Sequence, residues 1–148
     1  MSAGYVVLSH QHPEQVLRLV RTLRRGSPDA TIVLHHDDRR VSVDEAALRA
    51  LDVVRVLPPT PVGWGAASQL EALLRGLRAA AGCDWVTVLS GQDYPLRPLA
   101  EIERAWRESG VDAFAEGSPV DPPPWSRGAA DEFARRYFYR YVPVRPPG

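Results

Sequence analysis

The sequence predicts an α/β fold, a mainly parallel sheet with helices on both faces. Three observations lead there. Short apolar, β-branched runs alternate with amphipathic helical patterns along most of the chain. Each helical pattern lies between two runs, the spacing of right-handed crossovers rather than hairpins. Finally, clusters of polar residues follow directly on the apolar runs, so one rim of the sheet collects them.

The elements follow in order. Tyr5 to Ser9 reads as a buried strand, with His10 and His12 after it. Pro13 suits the first turn of a helix, in which Val16, Leu17, Val20 and Leu23 recur at helical spacing until Gly26-Ser27-Pro28-Asp29 ends it. Thr31 to Leu34 is a second strand and delivers His35-His36-Asp37-Asp38. Ser42 or Asp44 caps a helix carrying Ala47, Leu48 and Leu51, and Val53 to Leu57 is a third strand. Pro58-Pro59-Thr60-Pro61 imposes a stiff, extended connection into Val62-Gly63-Trp64-Gly65. From Ala66 to about Ala81, Leu70, Leu73, Leu74 and Leu77 mark an amphipathic helix.

Asp84 to Leu89 reads as a buried central strand, which presents Gln92 and Asp93 on a loop closed by Pro95. Pro98 opens a helix with Leu99, Ile102 and Trp106 on one face, and Gly110 stops it. Asp112 to Glu116 is expected as a short strand. Gly117 to Gly128 reads as an irregular loop and Ala129 to about Tyr139 as a last helix.

Composition narrows the class. The 148 residues have room for one domain, 1–148, and their 45% hydrophobic content with zero formal net charge describes a globular protein. No general electrostatic pull toward nucleic acid or anionic membranes is present. All 18 basic residues are arginine, and lysine and asparagine are absent, which reads as a GC-rich bacterial genome rather than a binding surface. A lone Cys83 excludes an internal disulfide and fits a reducing cytosol. No apolar run approaches the ~20 residues of a membrane span. The expected location is the bacterial cytoplasm.

The run Leu89-Ser90-Gly91-Gln92-Asp93-Tyr94-Pro95-Leu96, preceded by Val62-Gly63-Trp64-Gly65 and an amphipathic helix, resembles the core-2/I-branching glycosyltransferase family. Branching N-acetylglucosaminyltransferases and peptide O-xylosyltransferases belong to it. The resemblance runs over nearly the whole chain and corresponds to about the N-terminal half of a typical member. It implies a GT-A-like, Rossmann-related fold and an inverting, metal-independent transfer of N-acetylglucosamine or xylose. The donor would be a UDP-sugar, the acceptor a glycan or other hydroxyl. It also implies that the general base and the phosphate-neutralising basic residues lie beyond Gly148. The alternative is a non-catalytic UDP-sugar-binding module or an inactive fragment.

The donor-binding residues implied are Asp37, Gly63, Trp64, Gly65, Gln92, Asp93 and His10; Glu116 and Arg136 are implied for the acceptor. A carboxylate at position 37 suits acceptance from a uracil N–H or ribose hydroxyls, and a local pairing with Arg39 or Arg40 is the structural alternative. Gly63 and Gly65 permit close backbone approach, while Trp64 offers a flat face for a sugar or base or else fills the core. Asp93 is either a donor contact or a solvated turn residue. No metal or other cofactor is expected, since the chain has no D-x-D. Adjacent His35 and His36 on a strand point to opposite faces, so at most one of them can face the site.

Overall fold

The computed structural model describes residues 1–63 and 65–115. The chain divides into one compact unit, Met1–Gly110, and a second, Val111–Gly148. In the first unit the elements run β1 (Ala3–Ser9), α1 (Pro13–Gly26), β2 (Thr31–His36), α2 (Glu45–Ala50), β3 (Val53–Arg55), α3 (Ala67–Ala79), β4 (Trp85–Ser90) and α4 (Leu99–Glu108). The four strands form one sheet in the order β3-β2-β1-β4, and every pair is parallel. The expected α/β architecture is therefore present.

A parallel strand with both faces covered should be apolar along its middle, and β1 from Tyr5 to Leu8 and β2 from Ile32 to Leu34 are. Tyr5 and Val7 of β1 join Ile32 and Leu34 of β2 in the larger core, beneath Val16, Leu19, Val20 and Leu23 of α1, Leu48 of α2 and Leu99 of α4. The alternate residues Val6 and Val33 turn to the opposite face and meet Val56, Ala80 and Leu77. Pro13 opens α1 as expected, and its end is closed by the Ser27 N–H bonded to the Leu23 carbonyl. Of the two candidate caps for α2, Asp44 is the one used: its carboxylate accepts from the Ala46 and Ala47 N–H groups at 2.8 and 3.1 Å. Arg24 fastens the connections below, donating to the Pro28, Ala30, Leu51 and Asp52 carbonyls. On α4, Glu103 accepts from the Tyr5 hydroxyl at 2.7 Å, and burial together with this contact pushes the phenol pKa up.

Four expectations need correction. The strand Asp84 to Leu89 is not central: β4 pairs with β1 on one side and is the edge of the sheet among the described residues, with Val88 45% exposed. The chain reaches it only after α3 carries it back across β1, so the centre is occupied first by β1 and β2. β3 is shorter than expected, because only Ile32 to Leu34 lie opposite it. Asp112–Ala115 do not form a strand. Apolar alternation makes a strand only where a ladder partner supplies the hydrogen bonds.

The fourth concerns α3, in which Leu70, Leu73, Leu74 and Leu77 mark the apolar face of an amphipathic helix. The buried residues are instead Ala72 and Gly76, while Leu70 and Leu74 are exposed. Close approach is the reason. A Cβ on Gly76 would stand 2.5 Å from the Cγ1 of fully buried Val6. The helix lies on the sheet through Ala72 and Gly76, with Leu77 packed beside them, while Leu70 and Leu74 are displaced outward. Overpacking against a β-branched neighbour costs about 1–3 kcal/mol, more than the ~1 kcal/mol of helix propensity that alanine returns. Gly76→Ala is therefore expected to lower stability by up to about 2 kcal/mol in urea unfolding, whereas Gly82→Ala, with open space around that position, leaves the midpoint nearly unchanged.

Candidate functional site

The chain proceeds from β1 outward to β2 and β3, then returns to β4 on the other side of β1. The reversal leaves a crevice above the carboxyl ends of β1 and β4, the position where open parallel sheets bind ligands. Two adjoining cavities occupy it. One, of about 370 Å³, is lined by Leu8, Ser9 and His10 after β1, by Val88, Leu89 and Ser90 of β4, and by Ala72 of α3 and His35. The other, of about 230 Å³, has the charged side chains Asp37, Arg39 and Arg40 on its wall. His10, Val62 and Gln69 line both and form the boundary between them.

Asp37 is 4% exposed, yet fully partnered. Arg39 Nη2 reaches its Oδ2 at 2.6 Å, Arg39 Nε reaches its Oδ1 at 2.9 Å, and the Val62 N–H donates to Oδ2 at 2.9 Å. The Arg39 hydrogen bonds hold the carboxyl well below the usual carboxylate range and outweigh the opposing effect of burial. Arg39 Nη2 also donates to the Val62 carbonyl at 2.7 Å. Local pairing with Arg39 is thus what this structure contains.

The two histidines point to opposite faces, as strand geometry requires. The His35 Nε2 accepts from the Thr60 N–H at 2.9 Å, so its proton sits on Nδ1. Burial, more than the neighbouring Arg75, lowers the His35 pKa. His36 takes the other tautomer: its Nε2 donates to the Val41 carbonyl at 2.7 Å, and its Nδ1 lies 2.7 Å from Ser9 Oγ. Asp38 turns away toward Arg55, whose guanidinium also pairs with Glu45. Among the described residues no group of three His, Cys, Asp or Glu side chains stands together to hold a metal ion.

Gly63 and Gly65 form the turn that opens α3, where the Gly63 N–H donates to Ser68 Oγ and the Gly65 N–H to Gln69 Oε1. Gly91 is needed for close approach: a Cβ there would stand 2.6 Å from the Ser9 Cβ. Beyond it, Gln92 lines a separate surface depression with His12, Glu14 and Arg18. Asp93 Oδ2 accepts from the Ser90 N–H at 2.7 Å and closes its own turn. The structure therefore brings His10 and Asp37 together at the crevice and turns Gln92 and Asp93 to other partners. Trp64, Glu116 and Arg136 lie outside the described residues. Two wall residues, Val62 and Gln69, escaped the sequence reading because only the fold brings them to Asp37. Arg39 was foreseeable, lying two residues beyond Asp37 in a turn.

A family model for the core-2/I-branching enzyme matches residues 4–143. The chain belongs to this family. It is a glycosyltransferase family, which implies a nucleotide sugar and an acceptor as partners. No curated protein matches it by sequence. No described helix is long and apolar enough to cross a membrane.

Replacing Asp37 by alanine strands the Val62 N–H and the Arg39 guanidinium, at a cost of about 1–3 kcal/mol for the half-buried Val62 donor. The expected stability gap between wild type and Asp37→Ala in urea is full at neutral pH. Because the folded-state pKa is depressed, that gap narrows as pH falls below about 4 and the carboxylate of the unfolded chain protonates.

Proposed function

We propose that the crevice is the nucleotide site of an inverting, metal-independent glycosyltransferase that moves N-acetylglucosamine or xylose from a UDP-sugar to the hydroxyl of a glycan or other acceptor. The observation that carries this reading is a buried, ionised carboxylate, Asp37, on the wall of a crevice at the strand-order reversal of a core-2/I-branching chain. A carboxylate there can accept from the uracil N–H or the ribose hydroxyls, with charge-assisted bonds worth about 1.5–3 kcal/mol. Arg39 exchanges Asp37 for the ligand by swinging outward, a motion open to a side chain that is 57% exposed.

His10 borders the donor on one side, and Gly63, Trp64 and Gly65 let backbone and a ring approach it on the other. The Gln92-Asp93 loop, shaped by Gly91, contributes to the same donor subsite once a ligand draws it in. Glu116 and Arg136 are assigned to the acceptor. In the transfer, a base removes the acceptor hydroxyl proton, the oxygen attacks the anomeric carbon, and UDP departs with the bonding pair. Asp37 is not that base, because a carboxyl held so far below the ordinary range is a poor proton acceptor. Among the described residues lining the two cavities it is also the only carboxylate. This favours, as a second reading, a chain that binds the donor without turning it over. Arginine as the sole cation and a lone cysteine support a bacterial cytoplasmic setting.

Isothermal titration with UDP in EDTA, then with Mn²⁺, tests the proposal. Binding that is unchanged by metal and weakened about tenfold or more in Asp37→Ala, the loss of ~1.4 kcal/mol or more, is the expected result. Binding only with Mn²⁺ contradicts metal independence, and no binding under either condition contradicts the nucleotide assignment.

A further inference from the structure

We propose that His35 and Arg75 are positioning residues for the crevice: they pin the segment Pro58–Val62, through which Val62 holds the Asp37–Arg39 pair, and protonation of His35 removes one pin. Its consequence for ligand binding rests on the nucleotide reading above; the coupling within the protein does not.

The composition of the segment makes the pins few. Pro58, Pro59 and Pro61 carry no N–H, so Thr60 and Val62 hold its only backbone donors. Both are engaged across the fold. The Thr60 N–H donates to His35 Nε2 at 2.9 Å and the Val62 N–H to Asp37 Oδ2 at 2.9 Å. From the other side Arg75 of α3 donates to the Leu57 and Pro58 carbonyls at 3.0 and 2.6 Å and to Thr60 Oγ1 at 2.9 Å. Three proline rings stiffen the segment, so a displacement at Thr60 carries to Val62 two residues on. His35, 1% exposed, is thereby joined to Val62 and through it to Asp37.

The proton is the lever. Neutral His35 accepts at Nε2; a protonated ring has a donor at both nitrogens and faces the Thr60 N–H with another N–H. The charged groups around it are Arg75 from α3, Arg55 from β3 and Asp37 at the end of its own strand, with His10 across the cavity. Burial and the two arginines oppose the proton while Asp37 favours it, so the pin is lost only below the ordinary histidine range.

The experiment is amide hydrogen exchange by NMR on the 148-residue chain between about pH 7.5 and 5, together with titration of UDP-N-acetylglucosamine, which lacks the terminal phosphate ionisation of free UDP. Protection of Thr60 and Val62 is expected to fall together by about 3- to 10-fold, with the midpoint of the His35 ring. Donor binding should weaken over the same interval. His35→Gln keeps an acceptor that cannot be protonated and should flatten both profiles, whereas His10→Gln should leave the Val62 profile intact. Arg75→Ala should lower Val62 protection at every pH.

The proposal is overturned if Val62 protection stays constant while His35 titrates, if His35→Gln follows the wild-type profile, or if His35 remains neutral until the chain unfolds. Donor binding that ignores pH while the amides respond overturns the positioning role. Absence of donor binding at any pH refutes the nucleotide reading instead, and the amide profiles still decide the coupling.

Discussion

The two parallel ladders of β1 are the constraint on which everything else depends. Val6 and Val7 are fully buried, one on each face, between β2 and β4. Parallel pairing on both sides demands crossovers, and crossovers of one hand leave the sheet on opposite sides when the chain reverses its strand order. The crossover helices α1 and α2 therefore share the larger core, where α4 joins them, and among the described residues α3 alone crosses the other face. The crevice is the gap left where those two directions part.

The unequal covering of the faces has a consequence for the crevice. Among the described residues one helix crosses the second face, and it lies close because Gly76 has no side chain above Val6. That proximity brings Gln69 to the cavity wall at its first turn and places Arg75 within reach of the proline segment. A bulkier residue at 76 would lift both. Packing between a glycine and a valine thus decides how the polar end of α3 meets the site.

At the rim, Asp37, His35 and His36 are buried and satisfied, as burial of polar groups requires, whereas Asp38 Oδ1 and the Nε and Nη1 of its partner Arg55 are buried without a hydrogen bond. Asp37 has Arg39 and Val62, His35 has Thr60, and His36 has Ser9 and Val41. Val62, Thr60 and Ser9 come from distant parts of the chain, so the rim is a network rather than a row of independent side chains. A ligand that enters must exchange with one of its members, and the exposed Arg39 is the member with room to move.

Much of this was legible in the sequence because it is local. Hydrophobic period, Pro13 at a helix start, Asp44 as a cap and the opposite directions of His35 and His36 each depend on neighbours within a few residues, as does the resemblance carried by Leu89 to Leu96. What the sequence concealed is what depends on the partner. The leucines of α3 have the period of a buried face, but the sheet buries Ala72 and Gly76 and leaves Leu70 and Leu74 exposed, and β4 reads as apolar as a central strand while standing at the edge among the described residues. Asp37 looks the same whether it faces solvent or Arg39 and Val62. Period and residue type determined the elements and the side of the sheet that carries the polar residues; only the tertiary structure decided which of them meet, because distance across a sheet is set by packing and not by separation along the chain.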